Sequence, residues 1–163
     1  MIWAYLLILI ELVIVSWIDI RTKKISNSWF FLNLLLGIIF YLTFTDYYHF
    51  EWTLFILPVS WLIIGFFLFL SKIMGAGDSK FLASFFLIVP VQFHLELFEN
   101  LIYSTIVVGL VTFLIKVLQD FKKIKAYAFT HYWQGLKEMI GSRFSYGPVI
   151  LLAWLMLGFR IWK

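Results

Sequence analysis

Two aspartates in this sequence stand where a charge is costly. Asp78 follows Met74-Gly75-Ala76-Gly77, a short glycine-rich break between two long apolar runs, and Asp19 closes the first apolar run within Ser16-Trp17-Ile18-Asp19-Ile20-Arg21. A charged side chain at the centre of a bilayer costs about 2.5–3.5 kcal/mol on insertion scales, so acids at membrane depth usually carry a function. Two carboxyl groups that meet near a low-dielectric boundary cannot both ionise and share one proton. The ionised one can draw a proton from water while the protonated one polarises a carbonyl, which is peptide hydrolysis without metal, serine or cysteine. Each acid also has a plainer use: Asp19 as a helix-end acid paired with Arg21 or Lys23, and Asp78 as the N-cap of the next helix. The glycines separate these readings. A simple cap needs no Gly-x-Gly before it, whereas Gly75 and Gly77 free the backbone and let another segment, such as an extended substrate, approach closely. Lys80, two residues on, can hold the Asp78 loop or act as an interfacial charge.

The elements that must position these acids are apolar segments. The chain of 163 residues is 63% hydrophobic and 13% charged, with a mean hydropathy of +0.96, against roughly 25% charged in a soluble domain. That composition is of a membrane protein, a single all-α domain over residues 1–163 with about six transmembrane helices. The chain has no cysteine, which excludes disulfides, thiolate metal sites and a cysteine nucleophile. A net charge of +4 would suit nucleic acid only if the basic residues gathered on one solvated face; they fall in loops, so no nucleic-acid partner is expected. The N-terminal apolar run contains Glu11 and lacks a basic leading region and a small-residue cleavage site, so it reads as a retained span.

The hydropathy pattern places the spans at about Ile2 to Ile18, Trp29 to Phe44, Trp52 to Leu70, Phe81 to Phe93 (closed by Pro90, and able to extend back towards Asp78), Leu97 to Leu118, and Tyr146 to Trp162. Alternating sides through six spans puts every lysine and arginine except Arg160 and Lys163 on one side, which the positive-inside rule makes the cytoplasm. Both termini are then exterior, and Asp19 and Asp78 share one depth at the cytoplasmic boundary. The long loop at about 119–145 is cytoplasmic, and within it Tyr132, Trp133, Leu136, Met139 and Ile140 recur at helical spacing as an interfacial amphipathic helix. Glu11 lies about 12 Å along a helix from Asp19, too far to join a pair with it directly. It is expected to be protonated or paired within the bundle, with Asn33 as partner. His49 and His94 fall in exterior loops and His131 in the cytoplasmic loop, so no metal site of histidines is expected.

Three motifs carry a family resemblance. Asp19-Ile20-Arg21-Thr22-Lys23-Lys24-Ile25-Ser26-Asn27 resembles the first aspartate motif of type IV prepilin peptidases, Gly75-Ala76-Gly77-Asp78-Ser79-Lys80 resembles their Gly-x-Gly-Asp-x-Lys motif, and Tyr146-Gly147-Pro148-Val149-Ile150 is similar to the Gly-Pro start of their last span. The matches come in order over essentially the whole chain. The resemblance implies an integral-membrane aspartic endopeptidase of the inner membrane that needs no cofactor. It implies Asp19 and Asp78 as the catalytic pair, and a prepilin or pseudopilin, whose basic leader it removes, as the substrate. Asp120 and Glu138 are the loop acids that suit such a leader. Ser26 stands where the family usually has proline, and the chain lacks the cysteine-containing insertion of the longer members that also N-methylate the pilin, so it resembles the short forms. The rival reading from the residues is a small proton- or cation-coupled transporter or channel, in which the acids line a path; a non-catalytic scaffold would not need the glycine break.

Overall fold

The computed structural model describes residues 2–71, 73–119, 121 and 145–161. Among them are six α-helices and no strand: α1 (Ile2–Thr22), α2 (Asn27–Thr43), α3 (Ile56–Leu70), α4 (Ala76–Ile88), α5 (His94–Gln119) and α6 (Gly147–Ile161). Single 3-10 turns at Trp52–Phe55 and Val91–Phe93 lead into α3 and α5.

The bundle is built around α4. Phe81, Leu82, Ala83, Ser84, Phe85, Phe86 and Ile88 are all buried, so this helix is enclosed on every side, as an all-round apolar helix must be. At 13 residues it is about 20 Å long, shorter than a hydrocarbon core of about 30 Å, which its neighbours allow because they cover it. Its C-terminal carbonyls would otherwise be buried without donors. The Tyr48 hydroxyl donates to Ile88 O at 3.0 Å, and His94 Nε2 lies 2.9 and 3.0 Å from Phe86 O and Val89 O. The sequence reading puts His94 in an exterior loop; it is instead the buried first residue of α5, bound to the end of α4.

The surrounding helices bury one stripe each. On α1 the buried positions are Ala4, Tyr5, Ile8, Glu11, Leu12, Val15, Ser16 and Asp19, a regular spacing of three and four residues. Asp19 continues the apolar stripe and therefore faces the bundle interior. The opposite face of α1 carries Trp3, Leu7, Ile10, Val13 and Trp17, all more than half exposed or close to it, a surface that needs an apolar solvent. Three stretches are long and apolar enough to cross a membrane, Ile2–Thr22, Trp52–Leu70 and Val91–Gln119, while α2 and α6 are shorter apolar helices.

Pair contacts fix the directions. Tyr5 stacks on Trp154 at 4.9 Å and the two exchange side-chain to carbonyl hydrogen bonds of 3.3 Å, while Asp19 meets Gly147, so α1 and α6 are antiparallel. Asn33 meets Ser84 and Gly37 lies beside Ile88, so α2 runs parallel to α4; Trp61 stacks on Phe86 and Gly65 lies on Ser79, so α3 runs against it. The C-terminal end of α1 and the N-terminal ends of α2, α4 and α6 therefore share one end of the bundle.

Several boundaries differ from the sequence reading. Helix α1 runs through Asp19 to Thr22, and α4 starts at Ala76 instead of Phe81 and stops at Ile88, before Pro90. Ser26, at the position where a proline was expected, caps α2 through its hydroxyl, which accepts from the Ser28 N–H at 3.2 Å. The expected amphipathic helix, Asp120 and Glu138 lie outside the described residues.

Candidate active site

Asp19 is 1% exposed, and what it meets is the start of α6. The Gly147 N–H donates to its Oδ2 at 2.8 Å. A helix start offers orphan N–H groups and the positive end of the dipole, so it is a natural seat for an anion. Pro148, in the first turn, has no N–H to leave unsatisfied. The approach demands glycine at 147: a Cβ there would lie 2.8 Å from Ser16 Cα and 3.1 Å from Asp19 Cβ. Arg21, a sequence candidate for pairing with Asp19, instead sits 4.3 Å over the Trp17 ring. Lys23 ends α1 in the left-handed region (φ 55°), which costs a non-glycine residue roughly 1–2 kcal/mol. It is held there by its N–H to Asp19 O at 2.8 Å and its ammonium to Ser145 Oγ at 2.7 Å.

Asp78 is 5% exposed and sits in the first turn of α4, three residues after the N-cap Gly75. Its Oδ2 accepts the Gly75 N–H at 3.1 Å, the carboxylate half of a capping box. The sequence reading makes Asp78 the cap and its glycines an open loop. Among the described residues no glycine has a positive φ, and Gly77 is already helical. What Gly77 supplies is closeness, since a Cβ would overlap the carbonyl oxygen of Ile25, in the turn after α1. Ile25 thus covers the face of Gly77 that would have lain open to an extended substrate. Lys80 is exposed on the same turn and forms no ion pair with Asp78 among the described residues.

Tyr146, the residue before Gly147, caps the start of α6 through its carbonyl, which accepts the Ile150 N–H at 3.1 Å. Its ring lines a largely apolar cavity of about 50 Å³ with Leu82 and Trp61. Leu82 is one turn beyond Asp78 on the same face of α4. The sequence motif at Tyr146-Gly147-Pro148 marked this place as a helix start but gave no sign of its contact with Asp19.

Glu11 belongs to a separate buried cluster. With the Asn33 amide turned so that its nitrogen faces the carboxylate, it donates to Glu11 at 2.6 and 3.0 Å and accepts from Ser84 Oγ at 3.1 Å, linking α1, α2 and α4. The expected pairing of Glu11 with Asn33 is present. Among the described residues no three histidine or acidic side chains gather as a metal site.

A helical bundle with lipid-compatible outer faces and two buried aspartates at one junction of helix ends defines a membrane protein with an acid-lined site. A model of the type IV leader peptidase family matches residues 6–162, and the chain belongs to that family; it is a protease. No curated protein and no solved structure matches the chain.

Proposed function

We propose that this leader peptidase is an aspartic endopeptidase that cleaves the basic leader from type IV prepilins or pseudopilins, with Asp19 and Asp78 as its catalytic pair. The observation that supports the reading is that both carboxyl groups are buried at one end of the bundle, Asp19 against the start of α6 and Asp78 in the first turn of α4. One aspartate, ionised, takes a proton from water as the water oxygen bonds to the scissile carbonyl carbon. The other, protonated, gives its proton to the carbonyl oxygen. The tetrahedral intermediate then collapses: the C–N bond breaks, the leaving amine takes up the proton held by the first aspartate, and one hydroxyl of the diol returns its proton to the second as the carboxylic acid forms. The starts of α4 and α6 supply N–H groups that hold whichever carboxyl group is ionised. Gly75 and Gly77 act as supports for Asp78.

The distribution of lysine and arginine supports a reading in which this end of the bundle lies at the cytoplasmic face of the inner membrane, with both termini exterior. A transporter or channel would need acids lining a path, whereas Glu11 is closed in by Asn33 and Ser84. The test is cleavage of a prepilin by membranes containing Asp19→Asn or Asp78→Asn. Each variant inserts normally and cleaves nothing; substantial cleavage by either removes the pair from the mechanism.

A further inference from the structure

Among the described non-glycine residues only Lys23 has its backbone in the left-handed region, at φ 55°. Glycine enters that region without steric cost and lysine does not; such strain persists where the surrounding structure fixes it, commonly at functional sites. Here the end of α1 fixes it. The Lys23 N–H donates to Asp19 O at 2.8 Å, and the Thr22 hydroxyl lies 2.9 Å from Ile18 O and 3.0 Å from Lys24 O. The side chain then crosses to the segment that opens α6. Lys23 is exposed as a residue, yet its ammonium ends 2.7 Å from Oγ of Ser145, which is 5% exposed. Two residues beyond Ser145, the Gly147 N–H donates to Asp19 Oδ2 at 2.8 Å. Asp19 and Lys23 are one helical turn apart on α1, so these two cross-links close a small ring between the end of α1 and the start of α6. With one link the start of α6 can pivot about Asp19; the second stops the pivot. The Tyr5 and Trp154 pair holds the same two helices about two turns further along α6.

We propose that Lys23 is a positioning residue for Asp19: its ammonium, bound to Ser145, fastens the start of α6 to the end of α1 so that the Gly147 N–H holds the Asp19 carboxyl group in its reacting orientation. The inference rests on the aspartic-peptidase reading above. A lysine suits the task because it carries three N–H donors at the tip of a long stem. A glycine here would relieve the backbone but reach nothing on α6. Because the Lys23 main chain is itself bonded to the Asp19 carbonyl, the ammonium and the acid belong to one rigid turn. A shift of Ser145 relative to that turn is therefore a shift of Gly147 relative to the carboxyl group.

The experiment is steady-state cleavage of a prepilin peptide, spanning the leader and the start of its apolar helix, by the full chain in detergent micelles, with thermal unfolding of the same preparations. Lys23→Gly removes the ammonium and the backbone strain together. The expected result is a kcat about 10- to 100-fold lower, from misplacement of a reacting group, with KM unchanged. The unfolding temperature stays equal to or above that of the wild type, because glycine adopts this φ freely. Ser145→Ala, which leaves the lysine in place, lowers kcat by a similar factor, and the double variant is no slower than either single one, as for two halves of one bond. Lys24→Met removes the same charge at an exposed neighbour and leaves both constants at wild-type values. A Lys23→Gly enzyme with wild-type kcat overturns the proposal, as does one in which kcat, KM and unfolding temperature fall together, the mark of packing alone. Losses that multiply in the double variant, or a Lys24→Met enzyme equally impaired, overturn it too. Asp19→Asn is measured beside them: if it is inactive while Lys23→Gly is fully active, only the positioning role fails, and if it is active the aspartic-peptidase reading itself fails.

Discussion

The sharpest consequence of the site geometry concerns Gly147→Ala. The new methyl would sit 2.8 Å from Ser16 Cα and 3.1 Å from Asp19 Cβ, and the first of these is backbone that cannot rotate away. Restoring a carbon contact from 2.8 to 3.4 Å moves the start of α6 outward by about 0.6 Å. The Gly147 N–H to Asp19 Oδ2 bond, now 2.8 Å, then stretches to about 3.4 Å, beyond the range in which such bonds are strong. A bond to a buried charged group contributes about 1.5–3 kcal/mol, and overpacking costs about 1–3 kcal/mol. A movement that divides the strain between the two leaves the protein destabilised by about 3 kcal/mol. Activity falls further than stability, by about 100-fold, because the displaced group is one of the two reacting acids. Gly37→Ala is the matched control: its methyl meets Ile88 Cγ2 at 3.6 Å and Leu87 O at 3.8 Å, ordinary contacts. There alanine's better helix propensity, about 1 kcal/mol, leaves stability equal or higher. Unfolding in micelles and initial cleavage rates measure both variants. A Gly147→Ala enzyme within twofold of wild type, or a Gly37→Ala enzyme equally impaired, would refute the argument from close approach.

Two other outcomes follow from the same structure. Asn33→Leu leaves Glu11 and Ser84 buried without their common partner, so it lowers stability by about 1–3 kcal/mol, read as a lower unfolding temperature, whereas Asn33→Gln recovers part of the loss. Because the chain lacks cysteine, topology can be read with single introduced thiols. A cysteine at exposed Ser28 reacts with an impermeant reagent from the cytoplasmic side and one at Tyr47, 43% exposed, from outside; Tyr48 is unsuitable because it is buried under α4. Labelling on the reverse sides would put both acids on the exterior and remove the basis for leader cleavage.

The sequence by itself determined that the chain is helical and apolar, that the matched motifs put it in a peptidase family, and which acids to watch. It could do so because helix formation and burial of a stripe are periodic and local: Asp19 falls on the same spacing as Ile8, Leu12 and Val15, and Asp78 three residues after a glycine cap. Even the Glu11 and Asn33 pairing was legible, since two polar residues deep in adjacent apolar spans have few other partners. The extent of α4 was less so. Hydropathy begins it at Phe81, but Asp78 takes up the Gly75 N–H and starts the helix at Ala76. Only the tertiary structure decided that Gly77 serves the carbonyl of Ile25 and that Gly147 lies against α1 beside Asp19. Those facts depend on the depth at which one helix slides against another, and that depth is set by how side chains from distant segments fill the same space, as Tyr5, Phe85 and Trp154 do between α1, α4 and α6. No local pattern encodes it, because the residues that meet are separated by most of the chain.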